Sequence, residues 1–181
     1  MRGYFGIGSE RISKAMNLGA VLRTAHAFDA RFVFTLGVQH RVRDVLHADT
    51  SAAERHVPLY DWPTLDDMRL PKGCALVGVE LDERAAVLPR FRHPLQAAYL
   101  LGPEKGSLSE EAVAACDHLI KIPTKFCVNL SVAAAIVMYD RMIALGGADR
   151  DLSGLVDGGR RVGGSGKTPP PAEDWRPVKR R

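Results

Sequence analysis

Short apolar runs alternate with stretches of helical spacing along the first 145 residues of this 181-residue chain. Runs at Tyr4–Ile7, Phe32–Leu36, Val57–Tyr60, Ala75–Val79, Ala97–Leu101 and His118–Ile122 predict strands. Between several of them, Asn17–Phe28, Thr64–Arg69, Leu108–Ala115 and Leu130–Leu145 read as helices. Apolar strands alternating with helices argue for the α/β class, a mostly parallel sheet with helices on both faces. No internal repeat is visible.

Two of the helices carry further information. In the first, Leu18, Val21, Leu22, Ala25 and Phe28 form one apolar stripe. Arg23 projects away from that stripe, Gly19 lies one turn earlier on the same side, and Asn17 stands where a capping residue belongs. Taken alone, this segment is a capped amphipathic helix with a surface arginine. The last helix runs from Val132 to Tyr139 with almost no polar residue, so it is expected to be covered on all sides. A domain of this size rarely surrounds a helix by itself. A homodimer with this helix at or beside the contact is therefore expected, against the alternative of wholly intramolecular burial.

Composition narrows the class. Hydrophobic residues make up 46% of the chain, enough for a real core. The most apolar stretch, Val128 to Tyr139, is too short to cross a bilayer and ends at Asp140-Arg141, so no membrane partner is expected. The segment from Met1 to Ser9 lacks signal-peptide character. Cys74, Cys116 and Cys127 are odd in number and lack metal-ligand spacing. They read as reduced thiols of a cytoplasmic protein with no metal.

A domain of residues 1–145 and a tail of residues 146–181 follow from the change in composition. The tail is crowded with Gly, Pro and charge, and is expected to be mostly disordered. Arg150, Arg160, Arg161, Lys167, Arg176, Lys179, Arg180 and Arg181 outnumber Asp149, Asp151, Asp157, Glu173 and Asp174 there, supplying most of the formal net charge of +4. It suits either a phosphate-seeking arm or a solubilising tail. Gly164-Ser165-Gly166-Lys167-Thr168 imitates a phosphate loop, but Arg161 replaces the required glycine and Pro169-Pro170-Pro171 forbids the following helix. Gly6-Ile7-Gly8 is half of a dinucleotide fingerprint, with Arg11 where the third glycine belongs.

The most telling stretch is Leu100-Leu101-Gly102-Pro103-Glu104-Lys105-Gly106-Ser107-Leu108-Ser109. An apolar strand stops at a glycine turn with one carboxylate, and a helix follows behind Ser107 or Ser109 as N-cap. Open α/β sheets place ligands at such a strand end. Ile122-Pro123 and Asn129-Leu130-Ser131 supply two further loops that could border one pocket.

Three segments together resemble a known family. Asn17-Leu18-Gly19-Ala20-Val21-Leu22-Arg23-Thr24 is similar to the first motif of the SPOUT superfamily of RNA methyltransferases, in its TrmH-like (SpoU) branch. Leu100 to Ser107 resembles the second motif, and Ile122-Pro123 followed by Cys127-Val128-Asn129-Leu130-Ser131-Val132-Ala133 resembles the third. The resemblance covers Tyr4 to Leu145 and leaves the tail outside. It implies a C-terminal trefoil knot, an exception to the general rule that chains do not thread loops. It also implies a dimer, S-adenosyl-L-methionine as cofactor, and transfer of a methyl group to a ribose 2′-hydroxyl of RNA. The acceptor is tRNA first and rRNA second. A base methyltransferase on the same scaffold and a non-catalytic RNA-binding module are the alternatives.

Carried onto this chain, the resemblance gives Leu101, Gly102, Glu104, Gly106, Ile122, Val128, Leu130 and Ser131 as the cofactor site. Arg23, Asn17, Glu104 and Asn129 take the catalytic positions. An arginine stays protonated at neutral pH, so Arg23 suits clamping phosphate and hydroxyl better than acting as a literal base. Arg11, Lys14, Arg23, Arg41 and Arg43 are the candidate RNA contacts. Two departures stand out. Cys127 replaces a common serine, and Lys125-Phe126 replaces a glycine in a shortened loop.

Overall fold

The structure is a computed structural model, and it describes residues 3–38, 57–146 and 169–179. Nine strands and three helices are described: β1 Phe5–Glu10, α1 Ala15–Ala27, β2 Phe32–Leu36, β3 Leu59–Trp62, β4 Arg69–Leu70, β5 Ala75–Val79, β6 Ala86–Val87, β7 Ala97–Leu101, α2 Glu110–Ala115, β8 His118–Lys121, α3 Leu130–Gly146 and β9 Arg176–Pro177. Seven strands form one sheet in the order β3-β2-β1-β7-β5-β8-β6, and every pairing in it is parallel. β4 and β9 form a separate antiparallel pair.

The central strands are apolar throughout because both faces of the sheet are covered. All five residues of β2 and all five of β7 are buried. Alternate residues feed two cores. Ile7, Val33, Val77 and Tyr99 face Leu18, Val21 and Leu22 of α1 and Val137 and Met138 of α3. Phe32, Phe34, Leu76 and Leu100 face Ala112 and Ala115 of α2, together with Met68 and Trp175. Gly6 and Gly8 serve this packing and no dinucleotide. A Cβ on Gly6 would lie 2.1 Å from the Phe32 ring, and one on Gly8 2.1 Å from the Phe34 carbonyl oxygen.

α3 is fastened to the sheet by a buried polar node. Arg141, 3% exposed, donates to the carbonyls of Pro94 (2.6 Å), Leu95 (2.8 Å) and Tyr4 (3.3 Å), and to the Tyr99 hydroxyl (3.0 Å). The Tyr99 hydroxyl lies 2.6 Å from His93 Nδ1, and His93 Nε2 lies 2.8 Å from Asp140 Oδ2. A carboxylate only accepts, so Nε2 carries the proton and Nδ1 accepts from Tyr99. Burial pushes the His93 pKa down and the neighbouring Arg141 charge adds to this, outweighing the pull of Asp140. The ring is therefore neutral at neutral pH.

Several expectations need correction. Thr64–Arg69 is not a helix. Thr64 Oγ1 bonds Asp67 Oδ2 at 2.7 Å in a turn, and Arg69 enters β4 opposite Pro177. Asn17 does not cap α1: the N-cap is Lys14, and Asn17 is a buried residue within the helix. β1 runs on from Ile7 to Glu10, because Ser9 and Glu10 pair with Thr35 and Leu36 of β2. β3 begins at Leu59 instead of Val57, and α2 begins at Glu110 behind Ser109, whose hydroxyl accepts from the Ala112 amide.

Only part of the tail is described. Residues 147–168, including the phosphate-loop imitation, lie outside the described residues. Residues 169–179 instead return to the domain. Trp175 is 7% exposed and packs within 4.7–6.4 Å of the Tyr60, Phe32 and Trp62 rings, measured between centroids. Its indole N–H donates to the Pro170 carbonyl (2.7 Å), and the Val178 amide donates to the Met68 carbonyl (3.1 Å). One large aromatic side chain buries enough apolar area to hold a polar strap that composition alone would release.

Candidate active site

The three motif segments meet at the rim formed by the C-terminal ends of β1, β7 and β8. Leu101 closes β7, Ile122 follows β8, and Leu130 opens α3; all three are buried in one core, with Val128 packed against it. A rim of this kind is where parallel α/β sheets bind ligands. A Cβ on Gly102 would lie 3.2 Å from the Leu108 amide nitrogen, so glycine lets the outgoing and returning limbs of the loop come together. Gly106 turns the loop with φ +96°, and open space lies where its side chain would be.

Glu104 ties this loop to the start of α1. Oε2 accepts from the Ser13 amide (3.0 Å) and hydroxyl (2.9 Å), and Oε1 from the Lys14 amide (3.1 Å) and Asn17 Nδ2 (3.0 Å). This carboxylate caps a helix whose own N-cap side chain offers no hydrogen bond. Burial alone would raise its pKa. The hydrogen bonds from Asn17 and Ser13 together hold it below the ordinary carboxyl value.

The connection continues into the third segment. Asn129 Nδ2 donates to Asn17 Oδ1 (3.3 Å), and Asn129 Oδ1 accepts from the Ser131 amide (2.8 Å) and hydroxyl (2.7 Å) at the start of α3. Four side chains from three separate motifs thus form one relay. Glu104 and Asn17 brace the loops, and Asn129 organises the first turn of α3.

The remaining candidates fall in different places. Arg23 is exposed on the side of α1 opposite the buried stripe of Asn17, Leu18, Val21, Leu22 and Ala25. It has no hydrogen-bond or ion-pair partner among the described residues, so a guanidinium is available to an incoming phosphate or hydroxyl. Lys14 is exposed. Arg11 is exposed too, but its Nη2 donates to the Ser107 carbonyl (3.1 Å), and it sits at φ +49°. Arg41 and Arg43 lie outside the described residues. Lys125, Phe126 and Cys127 form an exposed stretch before Val128.

Two residues at this rim were missed in the sequence: Glu10 and Glu80, whose carboxylates accept from the Ser109 (2.8 Å) and Leu108 (2.7 Å) amides. The available signal was the position of Glu80 directly behind the apolar run of β5; Glu10 closes β1, three positions beyond Ile7 where the apolar run ends. A cavity of about 210 Å³ between Leu70, Cys74, Asp117 and Arg176 lies at the opposite, N-terminal end of β5 and touches none of these groups.

Known proteins share this sequence pattern and this fold. Over 137 residues the chain is 29% identical to the tRNA (guanosine(18)-2'-O)-methyltransferase of Thermus thermophilus, covering 72% of this chain and 70% of that protein. It is 26% identical to the Escherichia coli K12 protein of the same name, covering 72% of this chain but only 59% of that one. The AdoMet-bound rRNA methyltransferase from Sinorhizobium meliloti shares the fold, with a TM-score of 0.66 at 19% identity over 78% of this chain and 57% of that chain. The model of the SpoU rRNA Methylase family matches residues 5–139, a span holding all three loops and the relay that joins them, and the chain belongs to that family.

Proposed function

We propose that this domain is an S-adenosyl-L-methionine-dependent RNA 2′-O-ribose methyltransferase acting on tRNA, with rRNA as the second choice. One observation carries the reading: the Glu104–Asn17–Asn129–Ser131 relay joins the three motif loops at one rim of the sheet. The proteins named as tRNA 2′-O-methyltransferases supply the substrate class. A cytoplasmic location accompanies that substrate.

The residues at the rim fit the cofactor. A nucleoside needs apolar walls and nearby backbone hydrogen-bonding groups, and Ile122 and Val128 give the first while the glycine-shaped loop at Gly102 and Gly106 gives the second. Leu101, Gly102, Gly106, Ile122, Val128, Leu130 and Ser131 would hold the cofactor, which brings an activated methyl group. The protein's share of the chemistry is then position and charge. Glu104, Asn17 and Asn129 act by fixing the loops. Arg23 clamps the acceptor's phosphate and stabilises the alkoxide that develops on its 2′-oxygen. Arg11 and Lys14 stand nearby in the chain, and their charges would strengthen RNA binding in a salt-dependent way. The C-terminal trefoil knot belongs to the same proposal.

A homodimer is part of this reading. α3 leaves Val132, Tyr139 and Ile143 about half exposed, and Phe126 and Met16 are 76% and 84% exposed. Such an apolar band on the face of α3 opposite its buried residues calls for a second copy. Sedimentation at micromolar concentration should give twice the chain mass; a monomer would reject this part.

Purified protein incubated with labelled cofactor and total RNA should yield ribose-methylated nucleosides after nuclease digestion and mass spectrometry. Base-methylated products, or binding without incorporation, would reject the assignment. Arg23→Ala should abolish transfer while cofactor affinity stays within about twofold, since the arginine is assigned to the acceptor and is not among the residues that would hold the cofactor.

A further inference from the structure

Glu10, Gly102 and Glu80 stand in one row across three adjacent strands. The register pairs Ser9 with Leu101 and Leu101 with Val79, so the next residue of each strand brings a glutamate to either side of Gly102. The two side chains grip consecutive amides. Glu80 Oε2 accepts from Leu108 at 2.7 Å while its Oε1 accepts from Leu81 at 2.9 Å. Glu10, only 6% exposed, accepts from Ser109 at 2.8 Å. The same strands hold the other parts of the loop. Ser9 Oγ donates to the Gly102 carbonyl (3.2 Å), and Arg11 donates to the Ser107 carbonyl (3.1 Å).

A loop of this length, with glycines at both bends, has many conformations open to it when free. Charge-assisted hydrogen bonds are the stronger kind, and here two of them converge where the loop re-enters the fold. They act on the face of the sheet opposite to Glu104, which holds the middle of the loop to α1. The loop is therefore clasped on both faces, with its backbone fixed before anything binds.

We propose that Glu10 and Glu80 are positioning residues that preset the Gly102–Ser109 loop for the adenosyl part of the cofactor. This rests on the cofactor reading above and adds the groups that make the loop's shape independent of the ligand. Because each carboxylate reaches the site through a backbone amide of the loop, their effect does not depend on the charge at the ligand's sulfur. S-Adenosylmethionine and its neutral product S-adenosylhomocysteine should feel it equally.

The test is titration calorimetry of both ligands on the full-length protein, wild type against Glu80→Ala, Glu80→Gln and Glu10→Gln, with hydrogen exchange at the loop amides and thermal unfolding alongside. For Glu80→Ala both ligands should weaken together by roughly 10- to 100-fold, the scale expected when a site's support is loosened. Exchange across Gly102–Ser109 should speed up, and the melting temperature should change little. Glu80→Gln retains one acceptor and should recover part of the loss. Unchanged loop exchange with unchanged affinity overturns the presetting role, and so does weakening confined to the cationic ligand, which would mean direct contact with the sulfonium. If wild type binds neither ligand, the cofactor reading fails, while the exchange experiment still decides whether the glutamates order the loop.

Discussion

Removing the Arg141 guanidinium should loosen the whole attachment of α3. Its four hydrogen bonds reach the Pro94, Leu95 and Tyr4 carbonyls and the Tyr99 hydroxyl. In Arg141→Met the Pro94 and Leu95 carbonyls, which lie in a partly exposed segment, can bind water instead. The bonds to Tyr4 and Tyr99 are buried, and each such bond from a charged donor contributes about 1.5 kcal/mol or more. The guanidinium also lies 5.2 Å from the Phe5 ring centroid and 5.8 Å from that of Tyr99, a further attraction that methionine replaces only in part. Relief of the buried charge offsets some of this loss. A net destabilisation of about 3 kcal/mol follows, or roughly 6–12 °C in melting temperature for a domain of this size. Arg141→Lys keeps the charge but cannot span four divergent acceptors, so it should recover less than half. Urea unfolding at fixed protein concentration measures both. A loss below about 1 kcal/mol in Arg141→Met would refute the view that this node fastens the helix.

The neighbouring His93 makes stability sensitive to pH. Its pKa is depressed on folding, so between that value and the unfolded value of about 6.5 the unfolded chain binds the extra proton. Its contribution is fully present above about pH 6.5 and falls as the solution is acidified, by at most about 1.4 kcal/mol per pH unit. His93→Gln should flatten this part of the unfolding profile between pH 7.5 and 5.5, and an unaltered slope would exclude His93 as its source. Trp175→Ala should cost about 3 kcal/mol, the low end for a buried tryptophan, and expose residues 169–179 to proteolysis. Unchanged stability and unchanged cleavage would show that the strap contributes nothing.

The sequence was readable where two-sided burial is met by an unbroken apolar run. β2, β5 and β7 were predicted with the observed limits because covered parallel strands are uninterrupted apolar runs. The N-cap of α2 was narrowed to Ser107 or Ser109 for a local reason, and Ser109 is the one that caps. Elsewhere the determining partner is remote. β1 extends through Ser9 and Glu10 because β2 and the Gly102 loop satisfy their polar groups, which no apolar pattern reveals. Thr64–Arg69 has helix-compatible residues, yet Arg69 is claimed by a strand partner more than a hundred residues later. Arg141 read as the polar end of an apolar helix and is instead a buried clamp. At the site, the motif order found the loops, whereas the glutamates that hold them carried no motif of their own.

The amide relay has a fixed polarity. Glu104 can only accept, so Asn17 must turn its nitrogen toward Glu104 and its oxygen toward Asn129. Asn129 is oriented in turn, nitrogen inward and oxygen toward the donors of Ser131. An aspartate at either asparagine, though the same size, would set lone pair against lone pair at its contact on the Glu104 side, while still accepting from the donors beyond it. A single carboxylate at one end of the rim thereby dictates how the backbone of a helix at the other end begins.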